Sequence, residues 1–135
     1  MVERIMDPNN IRADHLERYN FAVKKLKELK PETDAVVSFE IIEHVPPELA
    51  QDVFDLAAEK SNIFIASSPN ECVRPHKQPP VNEFHYKHYT PVEFEAMGKK
   101  AGFTNVEFHC QTNGSHYMVR PGLEQGKFMI GVFTK

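Results

Sequence analysis

The chain has few glycines and cysteines, little net charge and no long apolar run. Its six glycines all lie at position 98 or later, so residues 1–97 contain no glycine-rich loop that a ligand could approach closely. Cys72 and Cys110 fit no zinc-binding spacing, which favours two free thiols in a reducing cytosol. The formal charge of 16 − 19 = −3 gives no overall basic field for nucleic acid. No run approaches a membrane span and the N-terminus lacks a signal-peptide core, so we expect a cytoplasmic protein without membrane contact.

The 135 residues, 41% of them hydrophobic, suit a single domain over 1–135. Four apolar segments have the composition of strands. They are Ala35–Phe39, Asn62–Ala66, Asn105–Cys110 and Lys127–Thr134. Helical patterns separate the first three, which indicates parallel βαβ units, whereas no helix separates the last two, which indicates an antiparallel pair. The sequence therefore predicts an α/β fold with a mostly parallel, doubly wound sheet and an antiparallel C-terminal edge.

Two helices have clear start signals. Pro46 and Pro47 open the first, because proline suits the first helical turn. The run Thr90-Pro91-Val92-Glu93 is a capping box, and Gly102 ends the helix that follows it. Residues 15–30 fit a helix, with a short strand at Tyr19–Val23 as the alternative. The segment Val2–Met6 could be a further strand.

Charged residues follow the first confident strand at the point where it ends. Glu40, Glu43 and His44 have the spacing E-x-x-E-H, and in a helical turn all three would share one face. Ligands bind at the carboxyl ends of strands in open α/β sheets. Two carboxylates and an imidazole suit Mg²⁺ or Mn²⁺, with His85 as a further ligand. The alternatives are a reaction site without metal and a structural role, with Glu43 and His44 as solvated residues at a helix start.

A long loop over residues 68–89 carries several prolines and the histidines His76, His85 and His88. Loops of this length in small domains are usually functional or disordered. His85 and His88 lie near the aromatic residues Phe84, Tyr86 and Tyr89 in the sequence, and such a mix is one that lines substrate pockets. The alternative is a loop whose aromatic side chains only cap the core.

Three stretches together resemble class I S-adenosylmethionine-dependent methyltransferases. They are DAVVSFEIIEHV at 34–45, NIFIASSPN at 62–70 and NEFHYKHYTPVEFEAMGKKAGFTNVEF at 82–108. The first is similar to the family's fourth strand and the acidic segment after it, and the second to its fifth strand. The third is similar to the segment that leads through the last helix into the sixth strand. The resemblance implies a Rossmann-like fold and S-adenosylmethionine as cofactor.

The resemblance also implies roles for single residues. Asp7, Phe39 and Glu40 would contact the cofactor, with Asp7 at the ribose hydroxyls, and His44 or His85 would act as general base. The family's first strand and glycine-rich loop have no counterpart in this sequence. We therefore expect an N-terminally reduced methyltransferase fold. Either the chain is a fragment, or a second copy or partner chain completes its cofactor site, or it does not bind the cofactor in the usual way.

A narrower resemblance concerns the small-RNA 3′-terminal 2′-O-methyltransferases. Their E-x-x-E-H segment and a later histidine hold a divalent ion, which implies Glu40, Glu43, His44 and His85 as ligands here. His88 departs from that pattern, because the family tends to carry an acidic residue at this place.

The methyl acceptor is not specified by these motifs. A small molecule or a glycan is favoured over RNA, because many methyltransferases of such substrates have a similar E-x-x-E-H motif but bind no metal. A different class of function is a non-catalytic binding or assembly module on a degenerate methyltransferase scaffold. The missing glycine-rich loop favours that alternative, and the sheet edge left open by a missing strand favours a homo-oligomer or a partner chain.

Overall fold

The computed structural model describes residues 34–112, 118–123 and 126–135, together with seven positions between 17 and 28. These seven, all helical, are Glu17, Asn20, Phe21, Lys24, Lys25, Lys27 and Glu28. They agree with the helical alternative for residues 15–30. The segment Val2–Met6 and Asp7 lie outside the described residues.

The described strands form one five-stranded sheet. They are β1 (Val36–Phe39), β2 (Ile63–Pro69), β3 (Asn105–Gln111), β4 (Val119–Pro121) and β5 (Phe128–Thr134), in the spatial order β1-β2-β5-β3-β4. β1 pairs in parallel with β2, and the other three pairs are antiparallel. β1, β2 and β3 therefore run in one direction. The predicted α/β Rossmann-like class with an antiparallel C-terminal edge is confirmed, and β4 is a strand that the sequence pattern did not predict.

Two helices, α1 (Pro47–Lys60) and α2 (Pro91–Ala101), supply the covering layer. The capping box of α2 is formed, with Thr90 Oγ1 accepting from the Glu93 amide at 3.1 Å and Glu93 Oε1 accepting from the Thr90 amide at 3.0 Å. Gly102 ends α2 with φ of 118°, a left-handed conformation that glycine adopts without steric cost. None of the helices in the described part of the chain is long and apolar enough to cross a membrane.

The core under the helices is largely aromatic. The Phe133 ring on β5 lies 5.4 Å from the Phe54 ring of α1 and 5.6 Å from the Phe94 ring of α2, measured between centroids. Phe64 and Phe103 complete the cluster. The opposite face of the sheet buries a second apolar set. It consists of Ile63, Ile65, Ile130 and Val132, with Phe21 and Val119 packed against them. Apolar layers on both faces explain why β2 and β5 are buried along their lengths.

Gly98 on α2 allows the helix to approach this aromatic core. A Cβ atom at position 98 would lie 2.3 Å from Cδ1 of Phe133, well inside van der Waals contact. We expect Gly98→Ala to lower the free energy of unfolding by about 1–3 kcal/mol through overpacking. Helix propensity alone would change it by about 1 kcal/mol in the opposite direction.

Urea denaturation followed by circular dichroism measures this change. Lys100→Ala on the exposed face of the same helix is the control, and it should stay within about 0.5 kcal/mol of the unmodified protein. A Gly98→Ala variant more stable than the unmodified protein would show that the Phe133 ring moves aside without cost.

Candidate functional site

A left-handed residue turns the chain at the end of β1. Glu40 has φ of 56°, a conformation that costs a non-glycine residue about 1–2 kcal/mol. Its backbone N–H donates to the Ser67 carbonyl at 3.2 Å, and the Ser67 hydroxyl lies 3.1 Å from the same amide. That hydroxyl also donates to Glu40 Oε2 at 3.2 Å. Ser67 on the neighbouring strand therefore holds both the turn and the carboxylate, and strained residues held in this way cluster at functional sites.

The turn leads into a short 3₁₀ segment, Ile42–His44, that buries a carboxylate. The Glu43 side chain is only 1% exposed, so the expectation of a solvated residue at this position is wrong. Its Oε2 accepts from the Ser68 hydroxyl at 3.2 Å, and its Oε1 lies 3.8 Å from His44 Nε2. A carboxylate removed from water needs hydrogen bonds or a cation to compensate the lost hydration.

His44 directs its Nε2 toward this carboxylate. Its Nδ1 lies 3.0 Å from the Phe84 carbonyl oxygen, which can only accept, so Nδ1 carries the proton. In the neutral ring the lone pair is then on Nε2, the atom that faces Glu43 Oε1.

The long loop reaches this point because its backbone is tied to the 3₁₀ segment. The Tyr86 amide donates to the Glu43 carbonyl at 2.8 Å, next to His85. The His85 ring makes an edge contact with the His44 ring at 4.6 Å between centroids. At the base of the loop, Asn70 forms a β-bridge with Tyr89. The loop is therefore fixed both at its base and at the site.

His85 lies within a group of imidazoles. Its Nδ1 is 2.7 Å from His88 Nε2, and its Nε2 is 3.2 Å from Asn82 Nδ2. Burial, followed by the neighbouring rings of His44 and His88, lowers the pKa of His85 from 6.5 to about 4. Burial also lowers the pKa of His88. His85 is therefore neutral at physiological pH and available as a ligand or a base.

The structure brings some of the predicted site residues together and leaves others apart. One ligand atom each from Glu43, His44 and His85 lie within 4.8 Å of one another, and this is the group of potential metal ligands found among the described residues. Glu40 is outside that group, because the turn directs its carboxylate to Ser67. Phe39 ends β1, and Asp7 lies outside the described residues.

Several residues of the site were not predicted from the sequence. Ser67 and Ser68 belong to β2, although Ser67-Ser68-Pro69 is typical of a turn, and both hydroxyls bond the predicted carboxylates. Asn82 was not singled out, and the only signal for it is its place three residues before His85. His76 also joins the group, with its Nε2 donating to the His85 carbonyl at 2.8 Å.

Two exposed aromatic side chains flank His85 in the chain. Phe84 is 70% exposed and Tyr86 is 58% exposed. Exposed aromatic residues beside a group of polar side chains are the kind of surface that binds small molecules or nucleobases. The alternative in which the aromatic residues of the loop cap the core is wrong for these two, but it is confirmed for Tyr89, which is buried in the core.

The fold resembles that of several solved methyltransferases. An S-adenosylmethionine-dependent methyltransferase from Thermotoga maritima, described as a possible histamine N-methyltransferase, superposes with a TM-score of 0.63 at 16% identity, over 78% of this chain and 56% of that chain. A methyltransferase from Archaeoglobus fulgidus superposes with a TM-score of 0.52 at 17% identity. The match covers 84% of this chain and 65% of that chain. The methyltransferase domain of bacterial CtHen1 superposes with a TM-score of 0.50 at 28% identity. The match covers 76% of this chain and 52% of that chain.

No family model and no curated protein sequence matches this chain. The chain spans between about half and two thirds of the length of these three solved chains. The structural matches show that it has the fold of class I S-adenosylmethionine-dependent methyltransferases, as its sequence motifs predict.

The low pKa of His85 leads to a pH prediction. Histidine ring resonances, followed by two-dimensional NMR from pH 3.5 to 8, should show His85 titrating near pH 4. Because the folded pKa lies below the unfolded value of 6.5, the neutral ring stabilises the fold fully above pH 6.5. That stabilisation is lost as the pH falls from 6.5 through 4.

The His85→Gln variant identifies the resonance by its absence. His76, which contacts the His85 backbone, serves as an internal reference in the same spectra. A midpoint for His85 at or above 6.5 would mean that the ring is solvated rather than enclosed by the loop.

Proposed function

We propose that this chain is part of an S-adenosylmethionine-dependent methyltransferase whose reaction site lies at the carboxyl ends of β1 and β2. The observation that carries the proposal is the meeting of Glu43, His44 and His85 at this edge of a methyltransferase fold. Ligands bind at this edge in open α/β sheets.

Residues at the end of β1 suit the cofactor in chemical character. Phe39 offers an aromatic surface, and Glu40 offers a carboxylate that accepts hydrogen bonds. Asp7 is the further acidic residue proposed for the ribose hydroxyls. Because residues 1–97 contain no glycine, the close backbone contact of a glycine-rich loop has to come from outside these residues, and we propose a second copy or a partner chain as one source of it.

The proposed reaction is an in-line displacement. S-adenosylmethionine, when bound, supplies a methyl group made electrophilic by its sulfonium. The acceptor nucleophile bonds to the methyl carbon while the carbon–sulfur bond breaks and its electron pair stays on sulfur, so most of the catalysis is positioning. The acceptor's proton would pass to the imidazole of His44 or of His85, and the lowered pKa of His85 keeps its ring neutral at physiological pH.

The donor set also supports a metal ion in the proposed enzyme. One buried carboxylate and two imidazoles converge, and Nε2 of His44 lies 3.8 Å from Oε1 of Glu43. A divalent cation held by these side chains would compensate the hydration that the Glu43 carboxylate loses on burial. It would also bind an acceptor hydroxyl and lower its pKa, which is a Lewis-acid role.

A second candidate function is the 2′-O-methylation of an RNA 3′ end. The observation that favours it is the contact of His85 with Glu43 and His44, together with the similarity to the bacterial CtHen1 methyltransferase domain. The exposed Phe84 and Tyr86 would then stack on bases. This candidate requires the cation, whereas the first candidate can work with or without one, so activity that persists after removal of divalent metal would exclude it.

Cofactor binding is the direct test of the proposal. Calorimetry with S-adenosylhomocysteine, on the assembly that the chain forms in solution, should give a dissociation constant below about 1 mM, or about −4 kcal/mol. Glu40→Gln should weaken binding about tenfold through loss of a charged acceptor. Glu59→Gln, exposed on α1, should leave it unchanged. Absence of binding at millimolar ligand would exclude activity of this assembly.

Metal binding tests the role of the buried carboxylate. Titration of Mn²⁺, followed by electron paramagnetic resonance, should show one site that Glu43→Gln removes, because the amide keeps the shape and loses the charge. Glu59→Gln is again the matched control. If both variants bind Mn²⁺ equally, the ion sits elsewhere and the metal-free reaction remains.

A further inference from the structure

His88 occupies a buried position between the loop backbone and His85. Its side chain is only 5% exposed, and both of its ring nitrogens are engaged. Nδ1 lies 2.7 Å from the Arg74 carbonyl oxygen, and Nε2 lies 2.7 Å from His85 Nδ1. Neither contact was expected from the sequence, where His88 is one of several histidines in a loop.

The Arg74 carbonyl fixes the direction of both hydrogen bonds of the His88 ring. The Arg74 carbonyl can only accept, so His88 Nδ1 carries a proton. The carboxylate of Glu71, with Oε2 at 4.0 Å from the same nitrogen, is also an acceptor and favours the same assignment. The neutral His88 ring then has its lone pair on Nε2, and that lone pair accepts the proton of His85 Nδ1.

The other nitrogen of His85 must therefore carry a lone pair. Asn82 Nδ2, a donor, lies 3.2 Å from His85 Nε2, which agrees with this assignment from an independent side chain. The Arg74 carbonyl at the far end of the chain is held in place, because the Arg74 amide donates to the Asn70 carbonyl at 2.7 Å. The Arg74 guanidinium bonds the carbonyls of Gln78 and Pro80 in the same loop.

We propose that His88 is a positioning residue, which fixes His85 with its proton on Nδ1 and its lone pair on Nε2. Nε2, which now accepts from Asn82, is then the nitrogen that His85 can offer to the site of Glu43 and His44. Histidine ligands of metals usually donate their second nitrogen to a fixed acceptor, and loss of that acceptor costs about 10–100-fold in metal affinity or activity. His44 has such an acceptor in the Phe84 carbonyl, and His88 provides the corresponding one for His85.

The use of this lone pair for a cation rests on the proposed function, whereas the proton position does not. Asn82 occupies the lone pair in the described arrangement, so an entering cation has to displace the amide. The proton position can therefore be measured on the protein without any metal.

Long-range ¹H–¹⁵N NMR of the histidine rings, on the metal-free protein at pH 7, tests the proposal. His85 should show a protonated Nδ1 and an unprotonated Nε2. In His88→Leu, which removes the acceptor, the proton should redistribute to Nε2. In His88→Gln, whose side-chain oxygen can accept at the position of Nε2, the original state should return. A His85 ring with its proton on Nε2 in the unmodified protein would overturn the proposal without any variant.

Mn²⁺ titration of the same three proteins gives the second measurement. We expect affinity about 10–100-fold lower in His88→Leu and within about threefold of the unmodified protein in His88→Gln. Equal affinity in all three would overturn the role of His88 at the metal. The expected proton position without any Mn²⁺ binding would support the positioning role and overturn the proposed metal instead.

Discussion

The fold depends on the last strand entering between β2 and β3. β5 pairs with β2 from Phe128 to Thr134 on one side and with β3 over the same seven residues on the other, so removing it would divide the sheet. The same strand carries Phe133, whose ring contacts aromatic residues from both helices. A strand from the end of the chain thus organises elements that precede it, and contacts of this range form late and cooperatively in folding.

The position of β2 beside β5 also determines the functional edge. Because β2 continues to Pro69, Ser67 and Ser68 reach the ends of β1 and of the 3₁₀ segment and hold the two carboxylates apart. The Glu40 carboxylate thereby stays at the turn. The Glu43 carboxylate is buried and lies close to His44 and His85. The chemistry of the site follows from hydrogen bonds between two adjacent strand ends, rather than from the E-x-x-E-H spacing alone.

The sequence could predict elements whose signals are local. Strand segments, the capping box of α2 and its end at Gly102 depend on neighbouring residues and are found where predicted. β4 has only three residues, Val119–Pro121, and depends on pairing with β3. The left-handed Glu40 and the hydrogen bonds of His88 could not be predicted, because each is imposed by a distant backbone carbonyl or hydroxyl.

The bridge between Asn70 and Tyr89 closes the loop at its base, so the loop can change in evolution independently of the sheet. The chain leaves the sheet at Asn70 and returns beside it at Tyr89, nineteen peptide bonds later. The capping box of α2 begins at the next residue, Thr90. Substitutions, insertions or deletions near Phe84 could therefore alter what the protein recognises without changing strand register or core packing. A loop closed in this way can be exchanged as a unit, so its sequence can diverge faster than that of the scaffold.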